Sequence, residues 1–263
     1  MIFFLAQLLH MKGKSICARR AEKMENAVAI GLSQQMALKR WLDITANNLA
    51  NLNTTAFKSE HPLFKEFLFN KVGATEMSFV EDYGSYRNLQ EGELSHTGRP
   101  LDVAISGEGY FSIETEQGIR YTRNGSFRLD PEGNIVTINN DFLLDETGRK
   151  MSVNVQFQEI TFAPDGTVTT GPGQTQKMEI VRFENPQVLK QVGDGLYDAE
   201  GFTPVPAVGA ALVHRMLEKS NVQPILEMTA MIDIMRAYQS AQQLIDAEHD
   251  LQMKTIEEMP AVQ

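Results

Sequence analysis

One cysteine, Cys17, stands among 263 residues. A lone thiol excludes an intramolecular disulfide and any cysteine-built metal centre. The five histidines (His10, His61, His96, His214 and His249) are scattered, with none at metal-ligand spacing. No basic stripe is present, and a formal net charge of −10 argues against a nucleic-acid partner. No apolar run is long enough to cross a membrane, so the chain is not read as an integral membrane protein. The patch from Ile2 to Leu9 is too short, and Lys12, Lys14, Arg19 and Arg20 follow it. A secretory signal has the opposite order, basic residues first. Two readings of this start stand: a misassigned initiation ahead of Met24, or a short anchor on a membrane surface. Wholesale disorder is excluded as well, since 42% of the residues are hydrophobic and 22% charged.

Catalytic and ligand-binding patterns are equally scarce. Gly107-Glu108-Gly109 lies between two apolar runs of strand character, whereas a phosphate cradle needs a helix N-terminus after its glycines. Gly107 and Gly109 are therefore read as turn residues. Asp130 to Asn134 lacks the alternating oxygen ligands and distal Glu of a calcium loop and reads as a turn. Asp102 and Glu108 are a weak candidate for paired carboxylates. No nucleophile–base arrangement can be inferred. The expectation is no enzyme, no cofactor, no metal and no small-molecule substrate.

Three regions are present. From Glu25 to about Leu52, apolar residues including Val28, Leu32, Leu42 and Leu49 recur at helical spacing, widened by Leu38 and Trp41. The run stops in Asn51-Leu52-Asn53-Thr54-Thr55, whose side chains favour helix ends and turns. From Asn221 to about Glu258 a second helix is expected, capped by Ser220 or Asn221, with Pro224 in its first turn. Ile225, Met228, Ile232, Met235, Tyr238 and Ile245 form its apolar face. The methionines there read either as core or as a surface adaptable to non-identical neighbours. A helix this long cannot bury its stripe against a small domain and needs partner helices.

The centre, about Leu94 to Val208, reads as short strands between Gly and Pro turns, hence a mainly antiparallel β domain. Asn124-Gly125 suggests a hairpin between Ile119–Thr122 and Ser126–Leu129. Ala163-Pro164-Asp165-Gly166 marks a further turn before Thr167-Val168-Thr169.

Four stretches resemble the bacterial flagellar rod and hook family. Ala46-Asn-Asn-Leu-Ala-Asn51-Leu-Asn-Thr-Thr-Ala-Phe57-Lys58 is similar to its N-terminal signature, and Gly98 to Phe111 to its central motif. Tyr121 to Gly133 is similar to the hairpin that follows. Glu218-Lys-Ser-Asn221, with Glu227 to Ile232 and Arg236-Ala-Tyr238, resembles the C-terminal motif. Alanine stands at 56 where the family pattern has glycine, which puts the local turn in doubt. The resemblance implies a self-assembling subunit of the basal-body rod that crosses the periplasm, exported by the flagellar export apparatus. Its partners would be other rod subunits and itself. Length sets the chain apart from the short rod subunits and from the larger hook protein, and the start Met24-Glu-Asn-Ala-Val and the modest centre look more like the proximal than the distal rod subunit.

The expected fold is α+β: amphipathic N- and C-terminal helices, a coiled-coil-like assembly core, flanking an antiparallel β domain. The expected divisions are a 1–23 extension, a 24–57 assembly helix and signature, a 58–93 connector, a 94–208 β domain and a 209–263 assembly helix. The expected assembly surface comprises Leu32, Leu42, Asn47, Asn48, Leu49, Asn51, Phe57, Met228, Ile232, Met235, Tyr238 and Ile245, with the asparagine amides bonding between neighbours or merely ending a helix. Gly107, Gly109 and Gly125 serve turns. The competing readings are a distal rod subunit, a cell-wall-acting enzyme, and a ligand-binding module with a β core.

Overall fold

The computed structural model describes residues 28–69, 77–153, 160–169 and 175–257. The extension Met1–Lys23, with Cys17, lies outside the described residues. Helix α1 covers residues 28–50. Then come β1 (Glu60–Phe69), β2 (Met77–Arg87), β3 (Leu94–His96), β4 (Val103–Ser106), β5 (Tyr110–Thr115) and β6 (Gly118–Thr122). Six short strands follow: β7 (Arg128–Leu129), β8 (Ile135–Val136), β9 (Phe142–Leu143), β10 (Thr161–Phe162), β11 (Thr167–Thr169) and β12 (Thr175–Lys177). The last are β13 (Ile180–Arg182), β14 (Lys190–Gly193), β15 (Leu196–Asp198), β16 (Val205–Pro206), β17 (Ala211–His214) and β18 (Met216–Glu218), before helix α2 (Pro224–Glu257). The fold is α+β, with two helices flanking a mainly antiparallel β region along the chain.

The chain divides into two compact units. One takes in Asn48–Glu60 and Arg87–Pro224. Its main sheet runs β14-β15-β6-β5-β9-β8-β7, with β13 added against β5 and β16 against β13. Strand β5 is buried on both faces because its alternating side chains enter two cores. Phe111 and Ile113 join Val103, Ile105, Phe127, Ile135 and Leu143. Tyr110 points the other way, to Tyr121, Phe183 and Tyr197. Each such ring or branched side chain removed from water contributes about 1.5–3 kcal/mol.

The β unit extends beyond the boundaries expected at Leu94 and Val208. Strand β17, in the stretch assigned to the C-terminal assembly region, pairs with β4 through Leu212↔Ile105 and Val213↔Ala104. Strand β18 pairs with β3. Leu212 belongs to the main core. The connector is likewise ordered: β1 and β2 form a two-stranded sheet. Asn124-Gly125 does not form the expected hairpin. Strand β6 pairs with β5 and β15, whereas β7 pairs with β8. The turns at Asp130 and at Ala163 do close hairpins, β7–β8 and β10–β11.

The other unit takes in the described residues of Met1–Asn47, His61–Tyr86 and Ile225–Gln263. Within it α1 meets α2. A Cβ on Gly31 would lie 3.1 Å from Ile245 Cγ1, and Gln35 hydrogen-bonds Gln242. On α2, Ile234 and Ala241 are the buried apolar residues, with Tyr238 and Ile245 half-buried on the same side. Ile225, Met228, Ile232 and Met235 are exposed. At 100° per residue, Ile232 lies about 160° round the helix from Ile234. The single apolar face expected of α2 is therefore two surfaces, one turned to its own chain and one left open. Leu226, Leu244 and Leu251 make a third, also exposed. Neither Ser220 nor Asn221 caps this helix; Ser220 Oγ accepts from Val222 N, and Asn221 is used elsewhere.

Candidate functional site

The segment that leaves α1 and the segment that enters α2 are joined inside the β unit. Ala56 N–H donates to Glu218 O at 2.8 Å, and Asn221 N–H to Phe57 O at 3.2 Å. The Asn221 side chain completes the seam. Its Oδ1 accepts from Ser59 N at 2.8 Å, and its Nδ2 donates to Asn88 O and Gln90 O at 2.8 and 2.9 Å. Asn48, 1% exposed, clamps Glu60 from both sides. Its Nδ2 donates to Glu60 O at 2.8 Å, and its Oδ1 accepts from Glu60 N at 2.9 Å. A primary amide matches a peptide group in donor and acceptor spacing, so asparagine serves where backbone must be tied to non-adjacent backbone.

Beneath this seam lies a buried ionic cluster. Lys58 Nζ donates to Glu218 Oε1 at 2.6 Å and to Gln90 O at 2.7 Å. Arg123 Nε donates to Glu218 Oε2 at 2.7 Å, and its other nitrogens reach Gly109 O at 3.2 Å and Ile105 O at 3.4 Å. Gly92 N adds a third donor to Glu218, at 2.9 Å. Glu91 Oε1 lies 3.5 Å from Arg123 and accepts from Gly107 N at 2.6 Å. Two cations and two anions thus balance, and Glu218 is only 2% exposed. Burial pushes the Glu218 carboxyl up, but Arg123 and Lys58 outweigh it and hold the group below the ordinary carboxylate range. Burial draws Lys58 down, and Glu218 offsets only part of that. The donors and acceptors of the cluster meet one another, and together they tie distant segments of this chain.

Ala56 sits at the centre of the seam with φ +58°. The turn keeps the left-handed geometry that glycine would adopt freely, and alanine holds it at a cost of about 1–2 kcal/mol. Ala56→Gly is therefore expected to stabilise the chain by roughly 1 kcal/mol, after glycine's larger unfolded-state entropy is allowed for. Urea denaturation of the two proteins measures this; a less stable glycine variant would show that the strain is absent.

The residues expected at an assembly surface fall into three groups. Leu32, Asn47, Met228, Ile232 and Met235 are exposed, while Leu42, Leu49, Asn51, Tyr238 and Ile245 are half-buried. Asn48 and Phe57 are buried in their own chain. The bond between neighbours expected of the Asn48 amide is replaced by its clamp on Glu60. Gly107 has φ +100° and turns the chain from β4 into β5. Gly109 and Gly125 are required by contact instead, since a Cβ would come within 2.8 Å of Ile180 Cγ2 and 1.6 Å of Val103 O respectively. Lys58, Arg123 and Glu218 stood in the recognised motifs without an assigned role. Arg87 was missed altogether. It donates to the carbonyls of Pro186 and Gln187, both at 3.1 Å, and of Leu189, and lies over the Tyr197 ring. Among the described residues no group of three or more His, Cys, Asp or Glu side chains could hold a metal ion, and no helix is long and apolar enough to cross a membrane.

Three family descriptions match the chain in order. "Flagella basal body rod protein" covers residues 30–58, "Flagellar hook protein FlgE/F/G D1 domain" residues 104–170, and "Flagellar basal body rod FlgEFG protein C-terminal" residues 213–258. The ionic cluster draws one residue from each of the three: Lys58, Arg123 and Glu218. The flagellar basal-body rod protein FlgF of Caulobacter vibrioides is 36% identical over 241 residues, 90% of this chain and 98% of that protein. FlgF of Mesorhizobium japonicum is 30% identical, over 84% of this chain and 92% of its own length. The FlgG rod protein of the same Caulobacter strain is 29% identical, over 81% and 92%.

Proposed function

Because the chain belongs to the flagellar basal-body rod protein family, we propose that it is the proximal rod subunit, assembling through the exposed faces of its terminal helices. Membership makes it a structural component of the flagellar basal-body rod. The proximal assignment is supported by its higher identity to FlgF than to FlgG within one organism. Other rod subunits and further copies of itself are its partners, and the flagellar export apparatus carries it out of the cytoplasm. It performs no catalysis, since the buried charges are spent on holding the chain together.

The observation that carries the assembly reading is the second apolar face of α2. Ile232 is 51% exposed although apolar neighbours flank it. Contiguous exposed apolar surface marks an interaction site. Copies stacked in a non-closing, heterologous arrangement would cover it and generate a tube. Ile232→Asp tests this. In the isolated chain an exposed substitution changes stability by less than about 0.5 kcal/mol. In the rod the carboxylate loses water without gaining a partner, at several kcal/mol for every copy. The expected result is non-swimming cells whose basal bodies lack the rod, from a protein that melts like wild type. Ser152→Asp, on an exposed residue of the β unit, should swim normally. Complete rods built from the Ile232→Asp chain would refute the helix surface.

A further inference from the structure

The chain has 13 methionines and one cysteine, so thioethers are its principal oxidisable sulfur. The fold divides them sharply. Met151 and Met178 lie in the main core of the β unit, 1% and 2% exposed. Met228 and Met235, on α2, are 51% and 46% exposed. Seven residues of helix set these two about 10 Å apart along the axis and only about 20° apart around it. Met231 comes between them, half-buried and about 60° round from Met228. Three thioethers therefore line one stripe, bordered by the exposed Ile225 and Ile232. The stripe belongs to the open face of α2, apart from the inner face of Ile234 and Ala241. An aliphatic side chain there would be chemically inert. A thioether is not: it gives up two electrons to a peroxide, and its susceptibility follows its exposure.

We propose that Met228 and Met235 are oxidation sites of the free subunit, and that their sulfoxides bar the subunit from the rod. The proposal rests on the assembly reading of the open α2 face given above. The oxidant is a hydroperoxide, of which hydrogen peroxide is the simplest. A sulfur lone pair attacks one peroxide oxygen, and the S–O bond forms as the O–O bond breaks. The departing hydroxide takes the proton left on the transferred oxygen and leaves as water. Sulfur loses two electrons, and the peroxide accepts both. The product is a polar side chain with a strong acceptor oxygen. On the open face water solvates that oxygen, so the isolated subunit keeps its fold. Between packed copies the oxygen loses water and finds no donor prepared for it. Packing in a completed rod also removes both sulfurs from solvent, so the same oxidant no longer reaches them. The face thus separates intact from oxidised subunits at the moment of incorporation.

Purified full-length chain and isolated basal bodies are treated with the same dilute hydrogen peroxide, and oxygen addition at each methionine is followed by peptide mass spectrometry. In the free chain Met228 and Met235 should gain oxygen at least about tenfold faster than Met151 and Met178. In basal bodies the same two should slow by roughly tenfold. In cells, Met228→Gln/Met235→Gln sets an amide oxygen near the position of the sulfoxide oxygen. It should abolish swimming from a protein that melts like wild type. Met228→Leu/Met235→Leu keeps the volume and the apolarity and should swim. Equal rates at the four methionines of the free chain overturn the proposal, as do equal rates in free chain and basal bodies. A leucine variant that also fails to swim overturns it, because shape and not polarity then decides. Glutamine cells that swim while Ile232→Asp cells do not overturn the oxidation site and leave the assembly face standing. Complete rods from both variants overturn the two together.

Discussion

Glu218→Ala is expected to destabilise the chain by about 3–5 kcal/mol, the range for removing one partner of a buried ion pair. Alanine removes the acceptor shared by Lys58, Arg123 and Gly92 N. Lys58 keeps only Gln90 O, and Arg123 keeps two carbonyls and a distant Glu91. Two buried cations then face each other with one carboxylate between them, at the rim. Lys58→Met should cost less, because Glu218 retains Arg123 and Gly92. The double variant Lys58→Met/Glu218→Ala should be more stable than the two single losses predict when added, since groups in one network couple by about 0.5–3 kcal/mol. Lys219→Ala is the neighbouring control. Its bridge to Glu93 is exposed on both sides and contributes at most about 1 kcal/mol. Urea midpoints measure all four. A Glu218→Ala protein as stable as Lys219→Ala would show that the cluster does not hold the seam.

The same carboxylate sets an acid limit. Its folded pKa lies below its ordinary value of 4.5, so the folded state releases that proton more readily than the unfolded state. Its contribution is complete above the unfolded value and is lost as pH falls through the folded one. Stability measured against pH should therefore drop below about pH 4.5 in the wild type. Glu218→Gln, already without the charge, should lose less over that window.

Much of the architecture was legible because it rests on local signals. The 34 residues of α2 follow from apolar spacing and the absence of internal glycine. The turns at Asp130 and Ala163 follow from side chains that bond their own backbone, as Asp130 does to Asn134 N and Asp165 to Thr167 N. What escaped depends on contacts between distant positions. Nothing local in Ala211–His214 says that it pairs with β4 across more than a hundred residues. The same holds for Asn221, which reads as a helix cap because asparagine usually is one, yet bonds residues 59, 88 and 90. The apolar stripe of α2 was visible, but its division into an inner face at Ile234 and an outer one at Ile232 required knowing where α1 lies.

Gly125 carries that difference to a measurable end. As the second residue of an Asn-Gly hairpin it would have positive φ, and alanine would cost about 1–2 kcal/mol. In the structure its requirement is space. Val103 N donates to Gly125 O at 3.0 Å, drawing the two backbones together. An added Cβ would lie 1.6 Å from Val103 O and 3.3 Å from Phe111 Cε2. Neither can yield cheaply: Val103 and Phe111 are fully buried in the main core, and Val103 opens β4, which is paired with β17. Gly125→Ala must therefore separate two backbone segments or displace the core. The expected loss exceeds about 4 kcal/mol, a magnitude reserved for such defined disruptions. Gly118→Ala provides the contrast, because Gly118 has φ +115° with nothing within 4 Å of its Cβ position. It should lose only the conformational strain, about 1–2 kcal/mol. Thermal melts of the two variants separate the explanations. If both fall by the same small amount, Gly125 serves a turn; if Gly125→Ala alone fails to melt cooperatively, the close passage of its backbone past Val103 is the reason glycine stands there.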